Sequence, residues 1–255
     1  MLNYYRKVKM GKKMKERERI LETIAAMSKS ISYAINLHES LKTALQDMPE
    51  DKANIYSMVI DNTRMLEQIQ TDYLETIKTL AKVIDANDTC TRGHCNKVMK
   101  YSVTICGSLK IAERDIGMIK TASLLHDIGK VGIDLGILKK KGPFDEDDWR
   151  KIRMHPEIGA RIIGQVGFLN EIVPIIKYHH ANFDGGGYPD SERRNGHIPL
   201  GARVIAVADA YDAITSNRPY RKAMSKEEAV KELKRCSGSQ FDPKVVNAFL
   251  VAKLI

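Results

Sequence analysis

The stretch Leu124-Leu125-His126-Asp127-Ile128-Gly129-Lys130 is the most informative part of this 255-residue sequence. It places an imidazole directly beside a carboxylate, and an ammonium follows the histidine at the i+4 spacing of a helix. Ile119, Ala122 and Leu125 have helical spacing and predict that the preceding helix is buried. A buried histidine–aspartate pair is unfavourable unless a partner satisfies it. A divalent metal ion or a simple hydrogen bond between the two side chains would do so, and the pair alone leaves both explanations open.

Composition predicts a folded protein with a basic balance. Hydrophobic residues make up 43% of the chain, which is enough for a sizeable core. The formal net charge is +9, and much of the excess lies within residues 1–19. A basic segment suits an anionic partner such as a nucleotide, a nucleic acid or an acidic lipid, but a solvated helix face is the simpler explanation for this run.

Cysteine usage and the lengths of the apolar runs favour the cytosol. The four cysteines include no CxxC pair, so the sequence has neither a disulfide framework nor a zinc-finger spacing. No apolar run reaches transmembrane length, and residues 1–10 are too charged for a signal peptide. We therefore expect a soluble, cytoplasmic protein without a transmembrane segment, while peripheral membrane contact through the basic start stays open.

Residues 1–75 are predicted to form a separate helical segment. Apolar residues recur at threes and fours over about 17–48 and again over about 55–84, with a break at Pro49. These are narrow apolar stripes on polar helices, which suit a helical hairpin or a short coiled coil. The segment either makes the protein a homodimer and transmits a signal, or it packs as two helices on the domain that follows.

Residues 76–255 are predicted to form an all-α domain, because no segment combines strict alternation with β-branched enrichment. Asp85-Ala86-Asn87-Asp88-Thr89 marks the approach to it, and 181–198 is a long irregular piece of the kind that tends to be functional. Helix-start signals occur at Asp145, at Ser225 with Glu228, and at Asp242-Pro243. The helical patterns cover 92–108, 113–127, 145–163, 170–180, 199–216, 226–236 and 243–253.

Histidines and carboxylates accompany these helical patterns. Helices that bring them together would build a cluster of nitrogen and oxygen ligands without a thiolate, which suits iron or manganese better than a structural zinc. The number of ligands exceeds the needs of one ion, so two ions bridged by Asp127 are the economical solution, and two-metal sites hydrolyse phosphoesters. The candidate ligands are His94, His126, Asp127, His155, His179, His180 and Asp209.

Six motifs of the second region point to one family. They are His126-Asp127-Ile128-Gly129-Lys130, Met154-His155-Pro156-Glu157, Tyr178-His179-His180, Asp184-Gly185-Gly186-Gly187-Tyr188-Pro189, Asp209 through Ala213, and Arg218-Pro219-Tyr220-Arg221. Together they resemble the HD-GYP family, bacterial phosphodiesterases of cyclic di-GMP within the wider HD-domain metal phosphohydrolases. The likeness runs from about Leu80 to the C-terminus, and the three main motifs in this order are highly specific.

The resemblance implies an HD-type helical bundle with a metal centre. One ion would be held by His94, His126, Asp127 and Asp209, and a second by Asp127 as the bridge with His155, His179 and His180. A bridging hydroxide would attack phosphorus, and Lys130 would lie against the phosphate, which makes Asp127 and Lys130 the implied catalytic residues. Asp212 would orient a ligand histidine from behind.

The resemblance also implies the substrate, cyclic di-GMP, and its product, linear pGpG, with further cleavage to GMP left open. Arg218 and Arg221 match positions near the phosphates, where a planar guanidinium pairs bidentately with oxygen. Asp184, Gly187 and Tyr188 belong to a loop that would form the lip over the substrate. Tyr188 would stack on the dinucleotide, hydrogen bond to it or brace the loop, and we favour bracing.

Three departures from the family pattern bear on activity. Ala181-Asn182 follows the double histidine where the family usually has Glu, which predicts lower activity if that carboxylate orients a ligand. Cys90 stands where some members carry an acidic ligand for a third ion, so we expect two ions rather than three. Arg221 replaces the more common Lys and keeps the charge.

Two other functions remain as alternatives. In the first, the enzyme acts on a different cyclic dinucleotide or nucleotide phosphoester. In the second, which Ala181 suggests, the protein is a catalytically weak module that binds cyclic di-GMP and passes the signal to a partner protein. DNA binding through the basic start is the least supported, because the segment lacks a helix-turn-helix signature, and we expect no nucleic-acid partner.

Overall fold

The computed structural model describes residues 53–87, 93–140, 142–189, 194–217 and 222–252. The first predicted N-terminal helix, Cys90, Arg218 and Arg221 lie outside the described residues. Within those ranges the chain forms helices and no strands, apart from isolated bridges between Ala181 and Gly187 and between Ser237 and Phe241. The predicted all-α fold is confirmed, and no described helix is long and apolar enough to cross a bilayer.

The α-helices are α1 (Ala53–Asn87), α2 (His94–Ser108), α3 (Glu113–Leu125), α4 (Leu135–Leu138), α5 (Glu146–Ile152), α6 (His155–Ile163), α7 (Val173–Lys177), α8 (Leu200–Thr215), α9 (Lys226–Arg235) and α10 (Pro243–Val251). Short 3-10 helices cover Ile128–Gly132, Gly167–Ile172 and Asn195–His197. The predicted start signals are confirmed, because Asp145 and Ser225 form capping boxes and Asp242 caps α10.

The described residues divide into two compact units, one of residues 53–77 with 164–170 and the other drawn from residues 78–163 and 171–252. Helix α1 continues across residues 75 and 76, where the sequence predicts a domain boundary. A continuous helix does not test that boundary, which stays a prediction. α1 leaves Met58, Ile60 and Met65 exposed, and dimerisation through the N-terminal segment also stays a prediction.

Helices α2, α3, α8 and α10 build the core of the second unit. Val98 and Ile105 of α2, Ala122 of α3 and Val204 of α8 are fully buried in it. Tyr211 packs between Tyr101 and Phe249, with ring centroids 5.2 and 4.7 Å away. This packing fixes α2, which carries His94, α8, which carries Asp209, and α3, which His126 follows directly.

The helix predicted over 145–163 is two helices, and this prediction was wrong in that respect. Pro156 has no N–H to donate, and its ring clashes with the carbonyl four residues earlier, so the chain turns at Arg153 and Met154 before α6 begins. The carbonyl concerned belongs to Ile152, and it accepts a hydrogen bond from His155 Nδ1 at 2.8 Å instead. The predicted helices over 113–127 and 170–180 are likewise shorter, and both end before their histidines.

Gly129 allows the 3-10 helix Ile128–Gly132 to pack directly on α6. A Cβ at this position would collide with the backbone of His155 and Gly159. The Gly159 position is also tight, since a Cβ there would lie 3.3 Å from the Gly129 nitrogen. The absence of both side chains brings Asp127 within reach of His155.

We expect Gly129→Ala to lower the free energy of unfolding by about 3 kcal/mol, because neither backbone segment can move without repacking the other. The matched control is Gly117→Ala in the middle of α3, where a Cβ would meet nothing within 4 Å. That control is expected to raise stability by about 0.5–1 kcal/mol. Urea unfolding followed by circular dichroism measures both variants, and a Gly129→Ala protein as stable as wild type would contradict the close approach.

Candidate metal centre

Three histidines come within three residues after the ends of α3, α5 and α7, where helix carbonyls lack helical partners. In each case Nδ1 bonds to the carbonyl three residues earlier. The pairs are His126 with Ser123 at 2.8 Å, His155 with Ile152 at 2.8 Å and His179 with Ile176 at 2.6 Å. A carbonyl can only accept, so Nδ1 carries the hydrogen and Nε2 of the neutral ring carries a lone pair.

These Nε2 lone pairs converge in the interior. The Nε2 atoms of His155 and His179 lie 3.3 Å apart, although neither carries a hydrogen to share in that tautomer. His126 Nε2 is buried and has no hydrogen-bond partner among the described residues. Facing lone pairs and a buried orphan nitrogen are both unfavourable, and a cation bound to each would remove the penalty. The residues present therefore fit a divalent metal ion with nitrogen and oxygen ligands.

The candidate ligands form two groups, and within each group the ligand atoms lie within 4.8 Å of one another. The first group is Asp127, His155, His179 and His180, and the second is His94, His126 and Asp209. Asp127 faces both, because Oδ1 lies 3.3 Å from His155 Nε2 and Oδ2 lies 3.5 Å from His126 Nε2. A carboxylate with one oxygen toward each group would be available as a ligand to an ion in either of them.

Lys130 lies against this carboxylate, with Nζ 2.6 Å from Asp127 Oδ2. Burial alone would raise the pKa of Asp127, but the Lys130 ammonium outweighs burial and holds that pKa well below its usual value. Asp127 is therefore ionised throughout the physiological pH range, which is the state that a carboxylate needs in order to bind a metal ion.

A chain of hydrogen bonds fixes His94. Its Nδ1 lies 2.7 Å from Asp212 Oδ2 and its Nε2 lies 3.2 Å from Asp209 Oδ1. Lys97 Nζ lies 3.2 Å from Asp212 Oδ1, and Ser216 donates to the same oxygen at 3.2 Å. Burial lowers the pKa of His94, but the two carboxylates outweigh burial and raise it to about 10. An ion in the second group would therefore replace a proton on His94 Nε2.

Three further histidines of the two groups, His126, His179 and His180, are neutral. Burial lowers the pKa of His126, and burial together with the neighbouring imidazoles lowers that of His179 well below its usual value. The same causes, with His155 as the main neighbour, bring the pKa of His180 to about 3. Neutral imidazoles are the protonation state that binds a metal, so the electrostatics of the site keep these lone pairs available.

The predicted lip loop folds back on the double histidine. Tyr188 N–H donates to the His180 carbonyl at 3.2 Å, and the two rings stack with centroids 4.8 Å apart. Gly187 has φ of 80°, and a Cβ there would collide with the same carbonyl, so the position requires glycine. Asp184 is exposed, and its Oδ1 accepts from Gly186 N–H at 3.0 Å. The loop thus places Tyr188 as a brace and Asp184 as a turn residue, and substrate contacts by either stay predictions.

A cavity of about 530 Å³ opens beside His180 and Asp209. Ala181 lines it together with Glu232 and Gln240. Ala181 is the residue that stands in place of the family's usual glutamate, so the smaller side chain leaves space next to the double histidine.

Sequence reasoning missed three side chains at this site. Lys97 and Ser216 both bind Asp212. Lys97 lies three residues after His94 and Ser216 four residues after Asp212, and this helical spacing is a sequence signal for both contacts. Arg153 lies over the Tyr188 ring with its guanidinium carbon 5.9 Å from the centroid. No sequence signal links Arg153 to Tyr188, because their contact arises only when the loop folds.

Comparison with known proteins agrees with this geometry. A family model described as "HD domain" matches residues 78–245, and the chain belongs to that family. The chain is 33% identical over 187 residues to the cyclic di-GMP phosphodiesterase response regulator RpfG of Xanthomonas campestris pv. campestris, covering 72% of this chain and 49% of RpfG. It is 32% identical to cyclic di-GMP phosphodiesterase PA4108 of Pseudomonas aeruginosa, covering 89% of this chain and 55% of that protein.

A third relative acts on a different dinucleotide by name. The 3'3'-cGAMP-specific phosphodiesterase 3 of Vibrio cholerae is 35% identical over 67% of this chain and 37% of its own length. This chain thus spans about half or less of these curated relatives. Among solved structures, the HDG"Y"P protein Bd1817 of Bdellovibrio bacteriovorus shares the fold, with a TM-score of 0.53, 17% identity, and coverage of 91% of this chain and 76% of that one. The resemblance to the HD-GYP family noted in the sequence is confirmed.

We expect excess Mn²⁺ to stabilise chelator-treated protein, because an ion would relieve the repulsion between the His155 and His179 lone pairs. At one hundred times its dissociation constant, a bound ion adds about 2.7 kcal/mol. Thermal unfolding with and without Mn²⁺ measures the shift, which His155→Ala should reduce sharply. The control His197→Ala alters an exposed histidine outside both groups and should keep the wild-type shift. Equal shifts in all three proteins would count against the site.

Proposed function

We propose that the protein is a metal-dependent phosphodiesterase that hydrolyses cyclic di-GMP to linear pGpG. The observation that carries the proposal is the pair of ligand groups that share Asp127, with the Lys130 ammonium on the same carboxylate. The relatives named as cyclic di-GMP phosphodiesterases support the substrate. Cleavage of pGpG to GMP stays open.

The proposed metal centre uses two sets of residues. One set would bind the ions, and the other fixes the orientation of a metal ligand. Asp127 with His155, His179 and His180 would bind one divalent ion, and Asp127 with His94, His126 and Asp209 would bind the other, with iron or manganese favoured by the donor set. Bound ions would supply an activated water and neutralise the phosphate oxygens. Asp212, itself held by Lys97 and Ser216, keeps the His94 ring in its orientation.

Lys130 supplies fixed positive charge to the reaction. Its side chain is only 19% exposed, so its ammonium acts in a medium of low polarity, where electrostatic stabilisation is stronger than in water. It lies at the Asp127 oxygen that faces the second ligand group. We assign it to the charge that develops on the phosphate as the P–O ester bond breaks.

Arg218 and Arg221 are proposed to bind the phosphates of the dinucleotide. They follow α8, the helix that carries Asp209 and Asp212, by a few residues. The flanking positions are tied together, since Asn217 Oδ1 accepts from Ala223 N–H at 2.9 Å. A guanidinium after this helix would pair with phosphate oxygens bidentately.

A second candidate substrate is 3'3'-cGAMP, which the name of the Vibrio cholerae relative favours. The two dinucleotides share the phosphate backbone and differ in one purine. A metal centre that holds the phosphate would serve either substrate, and the choice between them would belong to residues that hydrogen bond to the edges of the bases.

Turnover assays with protein purified anaerobically and reconstituted with Fe²⁺ or Mn²⁺ test the proposal. Asp127→Asn keeps the shape of the side chain but removes the charge that would hold both ions, and Lys130→Met removes the ammonium. We expect each to lower kcat by about 10²-fold or more, whereas the exposed control His197→Ala should retain activity. Chromatography of products from cyclic di-GMP and 3'3'-cGAMP gives the rates and the preference.

Metal-loaded wild type that binds cyclic di-GMP without turnover would overturn the hydrolase and support a binding module. In that case Ala181→Glu becomes the informative variant, because it restores the carboxylate usual at that position. Turnover of neither dinucleotide, together with no binding, would point to another nucleotide phosphoester.

A further inference from the structure

Trp149 is the single tryptophan of the chain, and it is not buried. It lies on α5, and its side chain is 43% exposed. One edge of the ring packs against Phe144, with centroids 5.3 Å apart at an interplanar angle of 82°. A large aromatic ring that is held on one side and open on the other is suited to stacking with a planar ligand.

Arg153 connects this ring to the lip loop. Its guanidinium carbon lies 5.8 Å from the Trp149 centroid and 5.9 Å from the Tyr188 centroid. Within the described part of the chain, no carboxylate lies at ion-pair distance from Arg153, unlike Arg150 and Lys151, which both pair with Asp147. An exposed guanidinium held between two rings, with its charge not neutralised, is ready to meet an anionic group.

Tyr188 then continues the surface to the metal centre. Its ring stacks on His180 and lies at a steep angle to His155, with a centroid separation of 6.3 Å. Trp149, Arg153 and Tyr188, here called the aromatic rim, therefore form a row of neighbouring planar groups that begins at two candidate metal ligands and ends at the exposed Trp149. A cyclic dinucleotide whose phosphate lies at the centre carries its bases outward along such a surface.

We propose that the aromatic rim is a nucleobase subsite, in which one purine of the cyclic dinucleotide stacks on Trp149 and Arg153 pairs with a phosphate oxygen. This inference rests on the proposed function and extends it to the mode of substrate binding. Stacking of this kind is tolerant of base identity because every base has a π-face. The rim therefore contributes affinity for both cyclic di-GMP and 3'3'-cGAMP and does not distinguish them.

The competing explanation is purely structural. Trp149 and Arg153 are four residues apart at the end of α5, and such a pair adds stability to a surface helix end without any ligand. The two explanations differ in what a nucleotide does to Trp149, and the presence of one tryptophan makes its fluorescence a specific reporter.

The experiment combines fluorescence with steady-state kinetics on metal-loaded protein. Titration with a slowly hydrolysed phosphorothioate analogue of cyclic di-GMP should quench Trp149 fluorescence to saturation. Trp149→Ala should raise KM for cyclic di-GMP by about 5- to 150-fold, the range expected for the loss of one stacked base, with a much smaller change in kcat. Trp149→Phe should recover most of the affinity because it restores an aromatic ring, and the retained kcat of Trp149→Ala shows that the alanine variant is folded. Arg153→Lys should raise KM because a lysine lacks the planar fork.

The matched control is Arg114→Ala, which removes another exposed arginine that pairs with Glu171. It should leave KM unchanged. Normal turnover with unaltered Trp149 fluorescence and an unchanged KM in Trp149→Ala would overturn the subsite and leave the hydrolase standing. Saturable quenching without turnover would support the subsite and overturn the hydrolase. Neither binding nor turnover would overturn both.

Discussion

Neutral imidazoles whose lone pairs face one another in a buried site repel, and the structure depends on how that repulsion is resolved. The rings of His126, His155 and His179 cannot turn away, because carbonyls at the ends of three helices hold each Nδ1–H. The ends of these helices therefore also orient the rings of the candidate metal ligands. Pro156 shows this most clearly: the residue that ends the helix also leaves the Ile152 carbonyl for His155.

The sequence predicts much of this because the determining groups are local. The all-α fold follows from apolar periodicity, the capping boxes from residues three apart, and the ligand set from motifs with fixed spacing. What it could not predict depends on elements meeting in space. The contact of Gly129 with the α6 backbone, the bond of Lys97 to Asp212 and the position of Arg153 over Tyr188 all arise from tertiary packing. The helix break near Pro156 was missed because the apolar pattern continues across it.

In the function and the subsite that we propose, buried residues serve the reaction and exposed residues serve affinity. Asp127 and the ligand histidines are removed from water, where charge and tautomer are strictly controlled and a fixed cation such as Lys130 is most effective. Trp149 and Arg153 are exposed, where a planar ligand gains contact without the cost of reorganising the core. Relatives named for two different dinucleotides fit this division, since a shared centre for phosphate is compatible with different base contacts.

The most direct test of the account is the number of ions and their coupling. Manganese content per chain, measured by mass spectrometry after anaerobic reconstitution, should be two, and the electron paramagnetic resonance spectrum should show exchange coupling through a shared carboxylate. In Asp127→Ala the coupling should disappear and the content should fall. One ion per chain, or two ions without coupling in the wild-type protein, would contradict the placement of Asp127 as the bridge on which the site is built.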